Sequence, residues 1–250
     1  MRGTVSKIVG IVFIVAATVM LWRFIDLLPV IGDPNSEPNT HIAQYFITKG
    51  PSETNSPNLV TGVLADYRGL DTMLETTVLY LASIAVTLIM SKKESEEEAQ
   101  PSFERIRLFG ITEIKVVMPL IVPVLLLYAA YVLVHGEVSL GGGFQAGALI
   151  AMAYILYSFI DDEEAKKFRL TQHSALCIGA LGLLIYFLTG VVPMFFGGHF
   201  LEYGKLPIPG VSQPQLHSIG IILIEVGVTV CVAASIITIL EGILERKHIR

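Results

Sequence analysis

Residues 216–240 read LHSIGIILIEVGVTVCVAASIITIL, and this stretch carries a single charged side chain, Glu225. As a helix rising 1.5 Å per residue it is about 37 Å long, enough to cross a hydrocarbon core of roughly 30 Å. A run of that length and apolarity is a membrane span. Five further apolar stretches follow the same reading: Lys7–Ile25, Leu70–Met90, Val116–Val134, Phe144–Ile160 and Leu170–Pro193. The fourth span in chain order, Phe144–Ile160, is short and starts at a run of glycines. The expected fold is all-α and polytopic, with about six transmembrane helices.

Composition agrees. Apolar residues make up 53% of the chain and charged residues only 16%, against about a quarter charged in a soluble domain. Six spans put both termini on one side of the membrane. Thirteen Lys and Arg residues fall on that side: Arg2, Lys7, Lys92, Lys93, Arg105, Arg107, Lys115, Lys166, Lys167, Arg169, Arg246, Lys247 and Arg250. Arg23, Lys49, Arg68 and Lys205 fall on the other. The positive-inside bias therefore predicts cytoplasmic termini in the cell membrane. Arg2 and Lys7 precede an apolar run, as in a secretory signal. Trp22, Arg23 and Phe24 follow it without a small-residue cleavage site, so a retained helix is expected.

The segment Ser91–Arg107 is hydrophilic with mixed charge and reads as a solvated linker. It divides the chain into a two-helix part, residues 1–91, a linker, 92–112, and a four-helix part, 113–250. The proline-rich stretch Asp26–Leu59 is expected to be an irregular outside loop.

Gly143, Gly147 and Ala151 recur every four residues and so share one helix face, where a neighbouring backbone can approach closely. Gly141 and Gly142 precede them, where the chain turns into the helix and a positive φ is of use. The N–H groups exposed at that helix start favour an anion or a carboxylate. A tight turn with a packing face, or a broken helix end at an ion path, both fit the pattern.

Ionisable groups at membrane depth are costly and are candidate functional residues. Glu225 lies nine residues past Leu216, about 13 Å in. A carboxyl there must be neutralised by a proton or a partner, which suits it to an ion path or to an interhelical hydrogen bond. Asp71 and Glu75 are one turn apart on one face, and Arg68 stands three residues before Asp71. His217 opens the sixth span, His173 the fifth, and His135 closes the third, without metal-ligand spacing. Pro119 and Pro123 are expected to bend the third span. Cys177 and Cys231 lie inside apolar runs and read as small packing residues. No nucleophile elbow, phosphate loop, metal motif or nucleic-acid-binding basic patch is present in the sequence. No catalytic centre or cofactor is expected on this chain, and any Fe–S or Ni–Fe centre is expected on partner subunits.

Two stretches carry a family resemblance. NLVTGVLADYRGLDTMLE (Asn58–Glu75), preceded by IGDPNSEPNTHIAQYFI (Ile31–Ile47) and SET (Ser52–Thr54), resembles the C-terminal tail of the MrpA subunit of multisubunit Na+/H+ antiporters. The same segment occurs as the small subunit MbhE of membrane-bound hydrogenases. HGEVSLGGGFQAGALIA (His135–Ala151) resembles the hallmark of MrpB, or MbhF. The chain is thus similar to two neighbouring subunits fused. Leu140 stands where the MrpB motif usually has proline, Ser56 and Pro57 where the tail motif has ETG, and Leu70 where phenylalanine is common.

The resemblance implies a place in an antiporter module that exchanges Na+ for H+. MrpC-, MrpD-, MrpE-, MrpF- and MrpG-like subunits are the implied partners. A hydrophilic redox arm of hydrogenase or sulfane sulfur reductase type is a further one. It places Glu75 and Asp71 near a proton route, makes Glu225 the buried carboxyl of the MrpB part, and assigns Asp66, Arg68, Gly141 and Gly142 to motif loops. With no lysine at membrane depth, the chain is expected to supply part of a route at subunit interfaces rather than to exchange ions alone. The small-residue face of the fourth span is expected to need a partner helix there. The competing readings are an independent small transporter and a purely structural or assembly subunit of a stand-alone multisubunit Na+/H+ antiporter.

Overall fold

The computed structural model describes residues 2–25, 27–91, 112–158 and 170–247. The linker reading at 92–112 lies, but for its last residue, outside them. The described residues form two compact units, Met1–Thr48 and Lys49–Arg250.

The first unit holds α1, Arg2–Ile25, whose stretch Lys7–Ile25 is long and apolar enough to span a membrane. A π-helix, Pro38–Ile42, then runs into α2, Ala43–Thr54, which ends in the second unit. The expectation of an irregular loop across Asp26–Leu59 is thereby corrected. Pro38 occupies the first turn, where its missing N–H has no helical partner to lose. Asp33 holds the approach, accepting the Asn35 N–H at 2.9 Å on its side chain and the Asn39 side-chain amide at 2.9 Å on its carbonyl.

In the second unit a single turn, Leu59–Thr61, widens into a π-helix, Gly62–Tyr67. Its end is marked by the Arg68 N–H donating to the Val63 carbonyl at 2.8 Å. Four long helices follow, together with a short one. They are α3, Gly69–Ser91; α4, Thr112–His135; α5, Gly143–Ser158; α6, Gln172–Phe195; and α7, Gln213–Lys247. Among the described residues five helices are long and apolar enough to cross a membrane, α1, α3, α4, α6 and α7, and α5 is the shorter apolar helix expected at the glycines. Pro119 and Pro123 both lie inside α4.

α7 is the central helix of this unit, touching α3, α4, α5 and α6. Tyr186, Tyr203, Ile221, Ile224, Val228 and Val232 form the core around it. The small-residue face of α5 lies on this helix. A methyl on Gly143 would sit 2.5 Å from the Glu225 carbonyl oxygen, and one on Gly147 2.8 Å from that of Thr229. The expectation that this face awaits a helix at a subunit interface is corrected: α7 of the same chain covers it. α3 packs on α6 and α7 as well, so the segments on either side of the linker share one core.

Candidate functional site

α5 is described from Gly143 to Ser158 and opens directly after the glycine loop Gly136–Gly142. Irregular backbone at membrane depth persists only where protein satisfies its polar groups. The Asn58 side-chain amide donates to the carbonyls of Gly136 (2.8 Å) and Ser139 (2.5 Å). Thr61 Oγ1 donates to Gly136 as well, at 2.7 Å. The Asn58 N–H and Ser56 Oγ each donate to the Glu137 carbonyl at 3.0 Å. The segment before α3 therefore clamps the glycine loop before α5.

The loop in turn seats Glu225. Glu225 Oε2 accepts the Gly143 N–H at the start of α5, so the anion favoured at that helix end is a carboxylate of the same chain. Gly142 has φ +128°, a conformation disfavoured for residues with a side chain. A methyl there would also lie 3.0 Å from Glu225 Oε2 and 3.2 Å from Oε1. The glycines are required because backbone, not side chain, forms the walls of this carboxylate pocket.

A second carboxyl borders it. Glu137 acts electrostatically on Glu225, and its own buried Oε1 meets no hydrogen-bond donor among the described residues. Burial raises the Glu137 pKa above the usual carboxylate value, and a hydrogen bond from Ser218 opposes the shift. Asn55 Nδ2 donates to the same Ser218 hydroxyl at 3.2 Å.

His217 Nδ1 lies 2.6 Å from Asp66 Oδ2, joining α7 to the π-helix. The Tyr203 ring stands edge-on to His217, and its buried hydroxyl donates to the Ala65 carbonyl at 2.8 Å. Burial pushes the Tyr203 phenol well above its usual pKa. Tyr186 OH donates to the Gly69 carbonyl at 2.6 Å and feels the charges of both Glu225 and Glu75. A cavity of about 360 Å³ opens beside this network, lined in part by Glu53, Asp66, Tyr67 and His217.

Of the candidate residues, Glu225 meets Gly142 and Gly143, and His217 meets Asp66. Asp71 is taken by Arg68 in an ion pair, with Arg68 Nε 2.7 Å from its carboxylate. Glu75 lies exposed one turn on. Sequence reasoning did not single out Glu137, Asn58, Tyr186 or Tyr203. Glu137 stands inside the quoted HGEVSLGGG stretch, and its position two residues after His135 was the available signal. Among the described residues no three His, Cys, Asp or Glu side chains converge in a way that would hold a metal.

Residues 113–238 match the family described as "Domain related to MnhB subunit of Na+/H+ antiporter", and residues 30–103 match the MbhE family, the E component of MBH. The chain is 28% identical over 216 residues to a probable A/B component of a K(+)/H(+) antiporter of Rhizobium meliloti, covering 76% of this chain and 22% of that one. The match thus spans about a fifth of that relative's length. It is 30% identical over 134 residues to a putative antiporter subunit mnhB2 of Staphylococcus saprophyticus, covering 52% of this chain and 92% of the relative. Its fold is similar to a chain in the structure of the membrane-bound sulfane sulfur reductase, an archaeal respiratory membrane complex. The TM-score is 0.63 at 24% identity, over 96% of this chain and 98% of that one.

Proposed function

Since the chain belongs to the family related to the MnhB subunit of Na+/H+ antiporters, with an MbhE segment ahead of it, we propose that it supplies part of the ion route of an antiporter module. It is a multi-pass protein of the cell membrane, a subunit of a membrane antiporter module. The transported ions in this reading are Na+ and H+. MrpC-, MrpD-, MrpE-, MrpF- and MrpG-like chains are the neighbours, a redox arm drives the module, and both termini are cytoplasmic. Residues 1–91 and 113–250 descend from two subunits, joined at the linker.

The observation that supports the route is the seat of Glu225. Its carboxylate is turned into the protein, onto the Gly143 N–H, with Glu137 alongside and Tyr186 in its field. Carboxyls in such a place can take up a proton or hold a sodium ion. The test is Na+/H+ exchange in everted vesicles containing the assembled complex. Glu225→Gln keeps the shape and removes the titratable group. Loss of exchange with intact assembly supports the route.

A structural reading has its own support in the Asn58 clamp and the α5–α7 packing. It predicts normal exchange in Glu225→Gln and failed assembly in Gly143→Leu or Gly147→Leu.

A further inference from the structure

One buried carboxyl takes no part in the site above. Glu241 is 1% exposed. It lies near the C-terminal end of the apolar span of α7, Gln213–Ile243, at the end the charge bias puts in the cytoplasm. Its Oε1 accepts the Tyr154 hydroxyl of α5 at 2.8 Å. The Tyr154 oxygen accepts the Leu170 N–H at 3.1 Å, so its one proton is committed to Glu241. Gln172 of α6 lies beside the neighbouring Gly242 and donates to Thr87 of α3 at 3.1 Å. Polar groups of α3, α5 and α6 thus gather around this end of α7.

Glu225 and Glu241 are 16 residues apart, about 24 Å along the axis and about 160° around it at 100° per residue. They are on opposite sides of the helix. Along the helix between them Cys231, Ser235 and Thr238 follow in that order on one flank, all buried. Cys231 Sγ sits 3.9 Å from Ser235 Oγ and 3.9 Å from the Thr76 carbonyl of α3. Thr76 and Ser83, both fully buried, belong to α3. Thr76, Ser83 and Thr238 each donate to a carbonyl of their own helix, at 2.8, 2.7 and 2.8 Å. With the proton committed, each hydroxyl oxygen has only lone pairs left to offer its surroundings. A run of buried acceptors between two carboxyls is an environment for a proton carried with water or for a small cation, and a poor one for an anion.

We infer that Glu241 is the inner carboxyl of the ion route, joined to Glu225 by the hydroxyl-lined flank of α7 that α3 covers. Tyr154 is its positioning residue. The inference rests on the proposed ion-route reading and adds a second acid to it.

The test compares Glu241→Gln, Glu241→Asp, Tyr154→Phe and Glu225→Gln in the whole complex, with Na+/H+ exchange normalised to assembled complex. Glu241→Gln is expected to lower exchange about a hundredfold or more, as removal of a proton-transfer group does. Glu241→Asp should restore part of it, and Tyr154→Phe should fall between Gln and wild type. Infrared difference spectra of the purified complex on a pH jump should lose a carboxyl band in Glu241→Gln. If Glu225→Gln abolishes exchange while Glu241→Gln exchanges normally per assembled complex, the inference fails and the proposed function stands. If neither substitution matters, both fail. If Glu241→Gln only lowers the yield of complex, or Glu241→Asp is as inactive as Gln with the infrared band unchanged, Glu241 is structural and the inference is overturned.

Discussion

Substituting alanine at Gly143 and at Gly147 separates packing from the carboxylate seat. The added methyl meets α7 in both places. At Gly147 it lies 2.8 Å from the Thr229 carbonyl and 2.8 Å from Val232 Cβ; at Gly143 it lies 2.5 Å from the Glu225 carbonyl and 2.9 Å from Val228 Cβ. Overpacking of this kind costs about 1–3 kcal/mol. At Gly143 the same shift pulls the helix start off Glu225 Oε2. A hydrogen bond to a charged group adds about 1.5–3 kcal/mol. Gly147→Ala should therefore cost about 1–3 kcal/mol, and Gly143→Ala about 2.5–6 kcal/mol. The reporter is Cys231, fully buried on α7, in a Cys177→Ser background, since Cys177 is exposed. Thiol labelling of Cys231 in the purified complex, read by mass spectrometry, follows opening of the helix core. A cost of 1–3 kcal/mol is about a five- to 150-fold faster labelling rate. Combined with Glu225→Gln, the excess at Gly143 should shrink and that at Gly147 should not. Equal costs at the two glycines, both additive with Glu225→Gln, would refute the seat.

Asn58→Ala removes the amide that binds two loop carbonyls; amide hydrogen exchange over residues 136–142 should rise by an amount equal to about 1–3 kcal/mol, with α6 unaffected. Glu137→Gln should stabilise the complex at neutral pH. Burial raises the folded-state pKa of Glu137 above the ordinary 4.5, so the folded state holds the proton longer, and stability falls as pH rises from 4.5 through the raised value. The gain of the variant should vanish below about pH 4.5, as read from thermal unfolding across pH. Tyr203→Phe leaves the buried Ala65 carbonyl without its donor and should cost about 1–3 kcal/mol, seen as a lowered midpoint in the same unfolding series.

Much of the architecture was legible because the membrane makes length and apolarity decisive. Each predicted span coincides with a helix, and the short one begins at Gly143, one residue from the expected start. The four-residue spacing of small residues was read as a packing face, and Gly143 and Gly147 lie against α7. It carries no information on which helix fills that face, and the answer was α7 of the same chain. Asp26–Leu59 misled because proline content was read as irregularity, although Pro38 sits where a helix tolerates it. Glu225 stood out as the one charge in an apolar run. Glu241 did not, since Arg246 and Lys247 nearby made the helix end look solvated, and only the fold shows Tyr154 covering it. The Asn58 clamp was invisible for a different reason: its two halves are 78 residues apart.

The central claim is that ions in transit reach Glu225 from water, through protein. Cysteine placed at that position in a Cys231→Ser background, in the assembled complex, can be exposed to a small, water-soluble, cationic thiol reagent, with cysteines at fully buried Ile221 and at exposed Leu223 as controls. Modification of Glu225→Cys that is fast and slowed by Na+, with both controls slow, is the predicted result. A Glu225→Cys thiol as unreactive as the buried Ile221→Cys thiol, with or without Na+, would contradict the account.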